Sequence, residues 1–520
     1  MTIFESPFGD IAPSERTITE RVFEGMLDRP DAVVLTDGLT GEAWTTGRLV
    51  DGVKRLAGGL TERGFGAGAT VAIMAPNMPL YFVAFHGVAW AGGTATPVNP
   101  AYTAYEVRHQ LNDAGADLLL AALSCLDVAR AAVEGTGVRQ IVVIGDAGAD
   151  GVIALDDLMG APLVDQAPVD LDRHPAALPY SSGTTGLPKG VMLTHRNMAT
   201  NIDQMLAVFG VRPGETTVAF LPFFHIYGLN ALLNPYLAAG GSIVTMPRFD
   251  LETFLRLSAE HRATRLWVAP PVALALAKHP IVDSFDLSAV EVVFSAAAPL
   301  GEDVAAACAR RLGAAVLQGY GMTELSPASH LMNIETARAG AVGQTTPGAQ
   351  CRIVDPETGQ DLGVDAEGEL WIKGPQVMLG YLNNPAATAA TIDDEGWLKT
   401  GDLACFDGDG YLYIRDRLKE LIKYKGFQVA PAELEDVLLS HPAIADAAVI
   451  GIPDEEAGEL PVAFVVAASG STPDPDEIMA YVAERLATYK RVRRVTFLEA
   501  IPKSASGKIL RRELRARISA

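Results

Sequence analysis

Short, apolar, β-rich runs alternate with amphipathic helical patterns through the first 400 or so residues, and this alternation restricts the chain to a layered α/β architecture. Strands are expected at Val71–Ala75, Gln140–Gly145, Val218–Leu221, Ser242–Met246, Arg265–Ala269, Val290–Ser295 and Ala315–Gln318. Several are apolar throughout, as strands covered on both faces are. Helices are expected between them, for example at Leu251–His261 and Asp303–Leu312. From about Gln350 the pattern changes to short strands separated by Gly/Asp turns, as in Gly368–Lys373 and Asp407–Ile414.

Beyond Arg415 the character changes again. Pro431 suits a first helical position, with Glu433 and Glu435 near the positive end of the helix dipole. Leu434, Val437 and Leu438 give that helix an apolar face, and Ile478, Val482 and Leu486 recur every four residues on a second one. Strand-like Val462–Val466 and Val492–Leu498 frame the second helix. A chain of 520 residues exceeds the size at which one core keeps growing. Two domains are therefore expected, residues 1–416 and a small α+β unit of residues 417–520.

A net charge of −22 argues against nucleic acid or an anionic membrane as partner. Cys125, Cys308, Cys351 and Cys405 are scattered without metal-ligand spacing, which predicts reduced thiols. No apolar run reaches the roughly 18–20 residues a membrane helix needs. The first twenty residues lack a signal-peptide layout, and the last four are no peroxisomal address. A cytoplasmic protein is expected, with monomer and homodimer both open. Against this acidity, residues 490–517 carry ten Lys/Arg and two Glu, a local reversal suited to an anionic ligand. Lys508, after Ser504-Ala505-Ser506-Gly507, could be delivered to a site by that small-residue segment.

The run from Ser181 to Gly190 is a second strong signal. Its three glycines permit tight backbone paths, two Ser and two Thr supply hydroxyls, and Lys189 adds a cation. Such a loop can surround a polyphosphate. It is not a Walker A loop, because Gly-Lys-[Ser/Thr] is absent at the required spacing.

Four further segments accompany it in order: Gly319-Tyr320-Gly321-Met322-Thr323-Glu324, Thr400-Gly401-Asp402, the stretch Asp416 to Gln428, and Pro502 to Lys508. Together they resemble the adenylate-forming superfamily of acyl-CoA synthetases, stand-alone adenylation domains and beetle luciferases. The stretch from Asp416 to Glu435 is most similar to 4-coumarate:CoA ligase and its bacterial relatives. The resemblance implies a large α/β N-terminal domain, two layered sheets plus a distorted β-barrel, with a small mobile α+β C-terminal domain. It implies ATP, Mg²⁺ and coenzyme A as cofactors and a small carboxylic acid as partner.

Residue by residue, the resemblance assigns Ser181, Ser182, Gly183, Thr184, Thr185 and Lys189 to the β- and γ-phosphates. It assigns Thr323 to the α-phosphate and Glu324 to the metal. Asp402 and Arg417 fall to the ribose, and Gln318, Gly319 and Tyr320 to the adenine and acyl walls. Lys508 matches the lysine that bridges carboxylate and α-phosphate. Lys423 and Gln428 match residues near the nucleotide, and Lys419 sits at the family hinge. Lys425, Gly426 and Arg248 match positions facing CoA. His225 matches a gate beside the acyl carboxylate, whereas His195 is expected to support the helix after the phosphate loop.

Tyr227, Ala231, Ala296, Ala297, Ala298, Gly319, Gly321, Met322, Pro327 and Ala328 are the candidate acyl-pocket positions. They are small or apolar and offer no charge to a second ionic group, so a hydrophobic monocarboxylate is expected. Aryl acids of the cinnamate or 4-coumarate type rank first, and medium- or long-chain fatty acids second. Ala296 and Leu325-Ser326 depart from the plant-type pattern. Carrier-protein loading and luciferase-like oxygenation share the adenylation residues and stand as alternatives.

Overall fold

A computed structural model describes residues 2–145, 152–181, 188–425, 427–454, 456–505 and 507–518. The expected strands form, most of them one or two residues away from their predicted bounds, at Thr70–Met74, Gln140–Ile144, Thr216–Ala219, Ser242–Thr245, Arg265–Val268, Val292–Ser295 and Ala315–Gln318. They are distributed over several sheets.

Four parallel strands, Thr94–Val98, Thr70–Met74, Leu118–Ala122 and Gln140–Ile144, make the centre of a nine-stranded sheet. Its far edge is antiparallel, where Tyr180–Ser181 pairs with Lys189–Thr194. A second sheet runs Thr216–Ala219, Ser242–Thr245, Val33–Asp37 and Ala43–Thr45. It abuts the parallel trio Arg265–Val268, Val292–Ser295 and Ala315–Gln318 through Thr264 N–H, which donates to Thr216 O at 3.0 Å. The inner strands are buried along almost their whole length, which accounts for sequence that is apolar without alternation. Helices begin where threonine can cap them: Thr17, Thr103 and Thr194 each accept from the third residue onward and are answered by Glu20, Glu106 and Asn197.

The Gly/Asp-punctuated region forms an antiparallel sheet of Phe4–Glu5, Gln350–Val354, Gly368–Lys373, Leu398–Phe406 and Leu412–Arg417. A three-stranded sheet, Tyr320–Gly321, Ala328–Leu331 and Gln344–Thr345, joins it by one bridge between Gln344 and Tyr411. The amino-terminal strand was not expected, since two residues carry no periodicity.

Five strands after Arg417 form a small separate sheet. Its longest strand, Ile444–Asp454, alternates: Ala447 and Val449 face one apolar cluster, Ala448 and Ile450 another. Helices Pro431–Ser440 and Pro475–Arg485 cover the first face, and Leu514 of Arg511–Ile518 covers the second. The molecule thus has a large N-terminal and a small C-terminal domain. All four cysteines are free and buried. No helix among the described residues is long and apolar enough to cross a membrane.

Candidate active site

The trio Arg265–Val268, Val292–Ser295 and Ala315–Gln318 ends in register, so the residues that follow are gathered at one edge. Crevices in α/β folds form at such carboxyl ends. A cavity of about 1080 Å³ opens there and extends between the two domains. Its walls include Ala296, Ala297 and Ala298 from one strand end, and Gln318, Gly319 and Tyr320 from another. Ala297 has φ 78°, a left-handed conformation that a small side chain best tolerates. Tyr227 and Ala231 reach the cavity from a π-helical segment, Tyr227–Leu233. Tyr227 donates its hydroxyl hydrogen to Val268 O at 3.1 Å.

Tyr320–Gly321 pairs with Ala328–Leu331, and the single turn Thr323–Leu325 between them presents Thr323 and Glu324 to the cavity. Gly321, Met322, Pro327 and Ala328 line it too. A Cβ on Gly321 would stand 2.1 Å from Pro327 O, so the hairpin closes only over glycine. Two buried amides hold this segment from behind. Asn201 donates to Ala328 O at 2.7 Å and accepts from Ala328 N–H at 3.1 Å. Asn230 donates to Ser326 O at 2.6 Å, and its own oxygen accepts from Asn234, which contacts His86.

Glu324 Oε1 accepts from the Tyr381 hydroxyl at 2.8 Å and from Ser181 Oγ at 3.2 Å. Asp402 is buried, with Oδ2 accepting from the Tyr320 hydroxyl at 2.5 Å and Oδ1 3.2 Å from Arg417 Nε. Burial, and then Asp402, raises the Tyr320 phenol far above its ordinary range. Lys508 lines the same cavity. Burial and Arg417 lower its ammonium below the ordinary lysine range, while Asp402, Glu420 and Glu324 pull it back up. Burial, with Lys508 adding, lowers the His225 imidazole to about 4. His225 is therefore neutral near pH 7. Its Nδ1 accepts from Tyr227 N–H at 3.2 Å, which places the proton on Nε2.

Also on the cavity wall, Arg511 pairs with Glu435 at 2.8 Å and Glu420 at 3.2 Å. Asp416 accepts from Ala432 N–H at 2.9 Å. Burial raises the Asp416 carboxyl to about 6 and that of Glu435 to about 7, despite the arginine.

Several sequence candidates lie elsewhere. Ser182, Gly183, Thr184, Thr185 and Gly426 fall outside the described residues. Lys189 faces Ser181 across the strand pair that flanks the loop, its Nζ 4.7 Å from the Tyr381 ring centre. Gln428 lines the cavity, but its strand partner Lys423 is exposed and does not. Lys419 is exposed in the turn after Arg417. Lys425 is exposed and paired with Glu456 at 2.9 Å. Arg248 is exposed beside Asp250. These five lysines and arginines are not on the cavity wall. His195 opens its helix buried against His174, while Thr194 supplies the cap.

Sequence reasoning missed Tyr381, Asn201, Asn230 and the Glu420–Arg511–Glu435 group. A buried amide inside an apolar helical run, such as Asn230 in Gly-Leu-Asn-Ala-Leu-Leu, was the available signal.

The AMP-binding enzyme family model matches residues 23–382, and that for the AMP-binding enzyme C-terminal domain matches residues 433–508. The chain is 43% identical to 4-coumarate–CoA ligase 1 of Petroselinum crispum over 531 aligned residues, covering 99% of this chain and 97% of that one. Among solved structures, an anthranilate CoA ligase, AuaEII, in complex with anthranoyl-AMP superposes with TM-score 0.91 at 25% identity, covering 98% of both chains. ATP-bound MatB from Rhodopseudomonas palustris superposes with TM-score 0.88 at 31% identity, covering 96% of this chain and 98% of that one. Two family models in the right order and full-length similarity agree with the cavity between two domains: the chain belongs to the AMP-binding enzyme family.

Proposed function

We propose that the protein is an ATP-dependent acid:CoA ligase that activates an aryl carboxylic acid as its adenylate and transfers the acyl group to CoA. A carboxylate resists nucleophilic attack because of its charge and resonance. In the first half-reaction its oxygen attacks the α-phosphorus of ATP, the bond to the bridging oxygen breaks, and pyrophosphate leaves. In the second the CoA sulfur attacks the activated carbonyl, the carbon–oxygen bond to AMP breaks, and the thiol proton passes to solvent.

The observation that carries this reading is the position of Lys508. A small-domain ammonium shares one cavity with Asp402, Glu324 and His225 of the larger domain and with Arg417 at the boundary. A positioned cation there neutralises charge that develops between carboxylate and α-phosphate. Asp402, acceptor-only when ionised, retains lone pairs for a ribose diol beyond those used by Tyr320 and Arg417. Thr323 takes the α-phosphate, and the segment Ser181–Thr185 with Lys189 takes the terminal phosphates. Neutral His225 stands beside the carboxylate and can move aside between steps. Lys425 and Arg248, away from the cavity, fit the CoA side, to which the resemblance also assigns Gly426.

The described residues form no cluster of three acidic, His or Cys side chains able to hold a metal alone. That fits Mg²⁺, which binds through one or two carboxylates and the substrate's phosphates. Glu324 would hold it, and it would supply charge neutralisation at the phosphates. The domain boundary is placed at Asp416/Arg417, with Lys419 in the turn that follows.

The test is CoA-dependent AMP release across aryl, medium-chain and long-chain acids. Fastest release with aryl acids is expected. No CoA-dependent AMP from any acid would overturn the ligase reading.

A further inference from the structure

Glu324 is buried at the cavity wall, and its partners among the described residues crowd onto one of its two oxygens. The Tyr381 hydroxyl, at 2.8 Å, and Ser181 Oγ, at 3.2 Å, both donate to Oε1. No hydrogen bond from a described residue falls on Oε2. An ionised carboxylate has lone pairs on both oxygens, so Oε2 keeps its capacity for a cation.

Tyr381 is itself buried and stands behind the cavity wall, not on it. Its short strand, Gly380–Tyr381, pairs with Lys189–Thr194, Tyr381 lying opposite Val191. Leu382 N–H donates to Gly190 O at 2.8 Å and Leu379 N–H to Met192 O at 3.0 Å, which extends the pairing on both sides. Thr388 Oγ1 accepts from Tyr381 N–H at 2.9 Å. The same segment grips Glu324 a second time, because Met378 N–H donates to Glu324 O at 2.9 Å. Main chain and side chain of Glu324 are thus both tied to residues 378–381.

The Tyr381 ring has a further neighbour. Lys189 lies two residues before Val191, on the same face of the strand, and its Nζ sits 4.7 Å from the ring centre. The face of a phenol ring attracts an ammonium. One side chain therefore meets, by its hydroxyl, the carboxylate given to the metal and, by its face, the lysine given to the terminal phosphates.

We infer that Tyr381 is a positioning residue for metal-bound ATP: it fixes Glu324 by Oε1, which reserves Oε2 for the cation, and it holds the Lys189 ammonium at a set distance from that carboxylate. This deepens the ligase reading and rests on it for the roles of Glu324 and Lys189. Tyr381 acts only through those two groups. Ser181 donates to the same oxygen from the strand that leads into the phosphate loop, so the start of the loop and the carboxylate are set together. Removing a hydrogen bond behind a metal-holding carboxylate weakens metal binding by about tenfold to a hundredfold.

The experiment uses the full chain without any acid and reads ATP affinity by calorimetry, once with Mg²⁺ and once in EDTA. In the wild type Mg²⁺ is expected to tighten ATP at least about tenfold, a gain that Glu324→Gln removes. Tyr381→Phe keeps the ring and deletes the hydroxyl. It is expected to cut the Mg²⁺ gain by about tenfold while affinity in EDTA stays within about twofold. Tyr381→Leu deletes the ring as well and is expected to weaken ATP in EDTA by about threefold or more, because Lys189 loses its support. A Mg²⁺ gain that Glu324→Gln abolishes and Tyr381→Phe leaves intact overturns the inference. So does equal weakening of ATP with and without Mg²⁺ in Tyr381→Phe, the mark of a merely structural loss. So does a cooperatively unfolding Tyr381→Leu that binds ATP in EDTA as tightly as Tyr381→Phe. A gain that survives Glu324→Gln removes the metal role of that carboxylate, and the inference falls with it. Failure to form CoA thioesters while the affinities behave as expected sinks the ligase reading and leaves the role of Tyr381 standing.

Discussion

Arg417 Nε stands 3.2 Å from Asp402 Oδ1, and the two residues are direct partners across an antiparallel strand pair. Backbone pairing and ion pair therefore fix the same contact. Burial works against the Arg417 cation, yet Asp402 and the neighbouring anions hold its pKa above the ordinary value.

Asp402→Ala is expected to raise the ATP concentration needed for half-maximal rate by about tenfold to a hundredfold, the range for a lost charged hydrogen bond. The variant also leaves Arg417 without its carboxylate. Initial rates against ATP at saturating acid measure this, and an unchanged ATP dependence refutes ribose contact.

Lys508→Ala is expected to lower acid-dependent pyrophosphate exchange by at least about a hundredfold, the scale of one preorganised charge in a dry site. Thioester formation from supplied acyl-AMP and CoA should be spared. Equal loss of both half-reactions contradicts the assigned role.

Stability should fall as pH rises through the range set by Glu435 and Asp416. Both carboxyls have folded pKa values, about 7 and about 6, above their ordinary values of 4.5 and 3.8. The folded state thus binds these protons more tightly than the unfolded one. The resulting stabilisation is present below the ordinary values and is lost as pH climbs through 6 and 7. Glu435→Gln removes its share. Urea unfolding at pH 5 and pH 8 should show a smaller pH difference for the variant than for wild type, and parallel losses would sink this account.

Asn201→Ala is expected to destabilise the protein by about 1–3 kcal/mol, since it leaves buried backbone groups of Ala328 without partners. The Michaelis constant for the acid should rise more than that for ATP, because Ala328 lines the cavity at a position proposed for the acyl group. Denaturation curves and paired substrate titrations check both parts. A stability loss with no change in the acid titration would confine Asn201 to folding alone.

The sequence was most legible where function is written in contiguous words. The turn bearing Thr323 and Glu324, the Thr400-Gly401-Asp402 segment and Lys508 were found from adjacent residues, and the fold brings them to one cavity. Strand runs were equally readable, because burial on both faces forces apolar composition. Asn201, Asn230 and Tyr381 were not readable. Each acts through a partner more than fifty residues away, and periodicity carries no information about such contacts. The exposed positions of Lys423, Lys425 and Arg248 were also hidden, since a motif gives residue types and not which way a hairpin faces.

Arg417 is the last residue of its strand, and the turn that leads away from the larger domain begins with the next residue. The leash between the two bodies is thus anchored at the Asp402–Arg417 pair itself, with no slack segment between them. On the proposed reading, a ribose held by Asp402 sits beside the start of that leash.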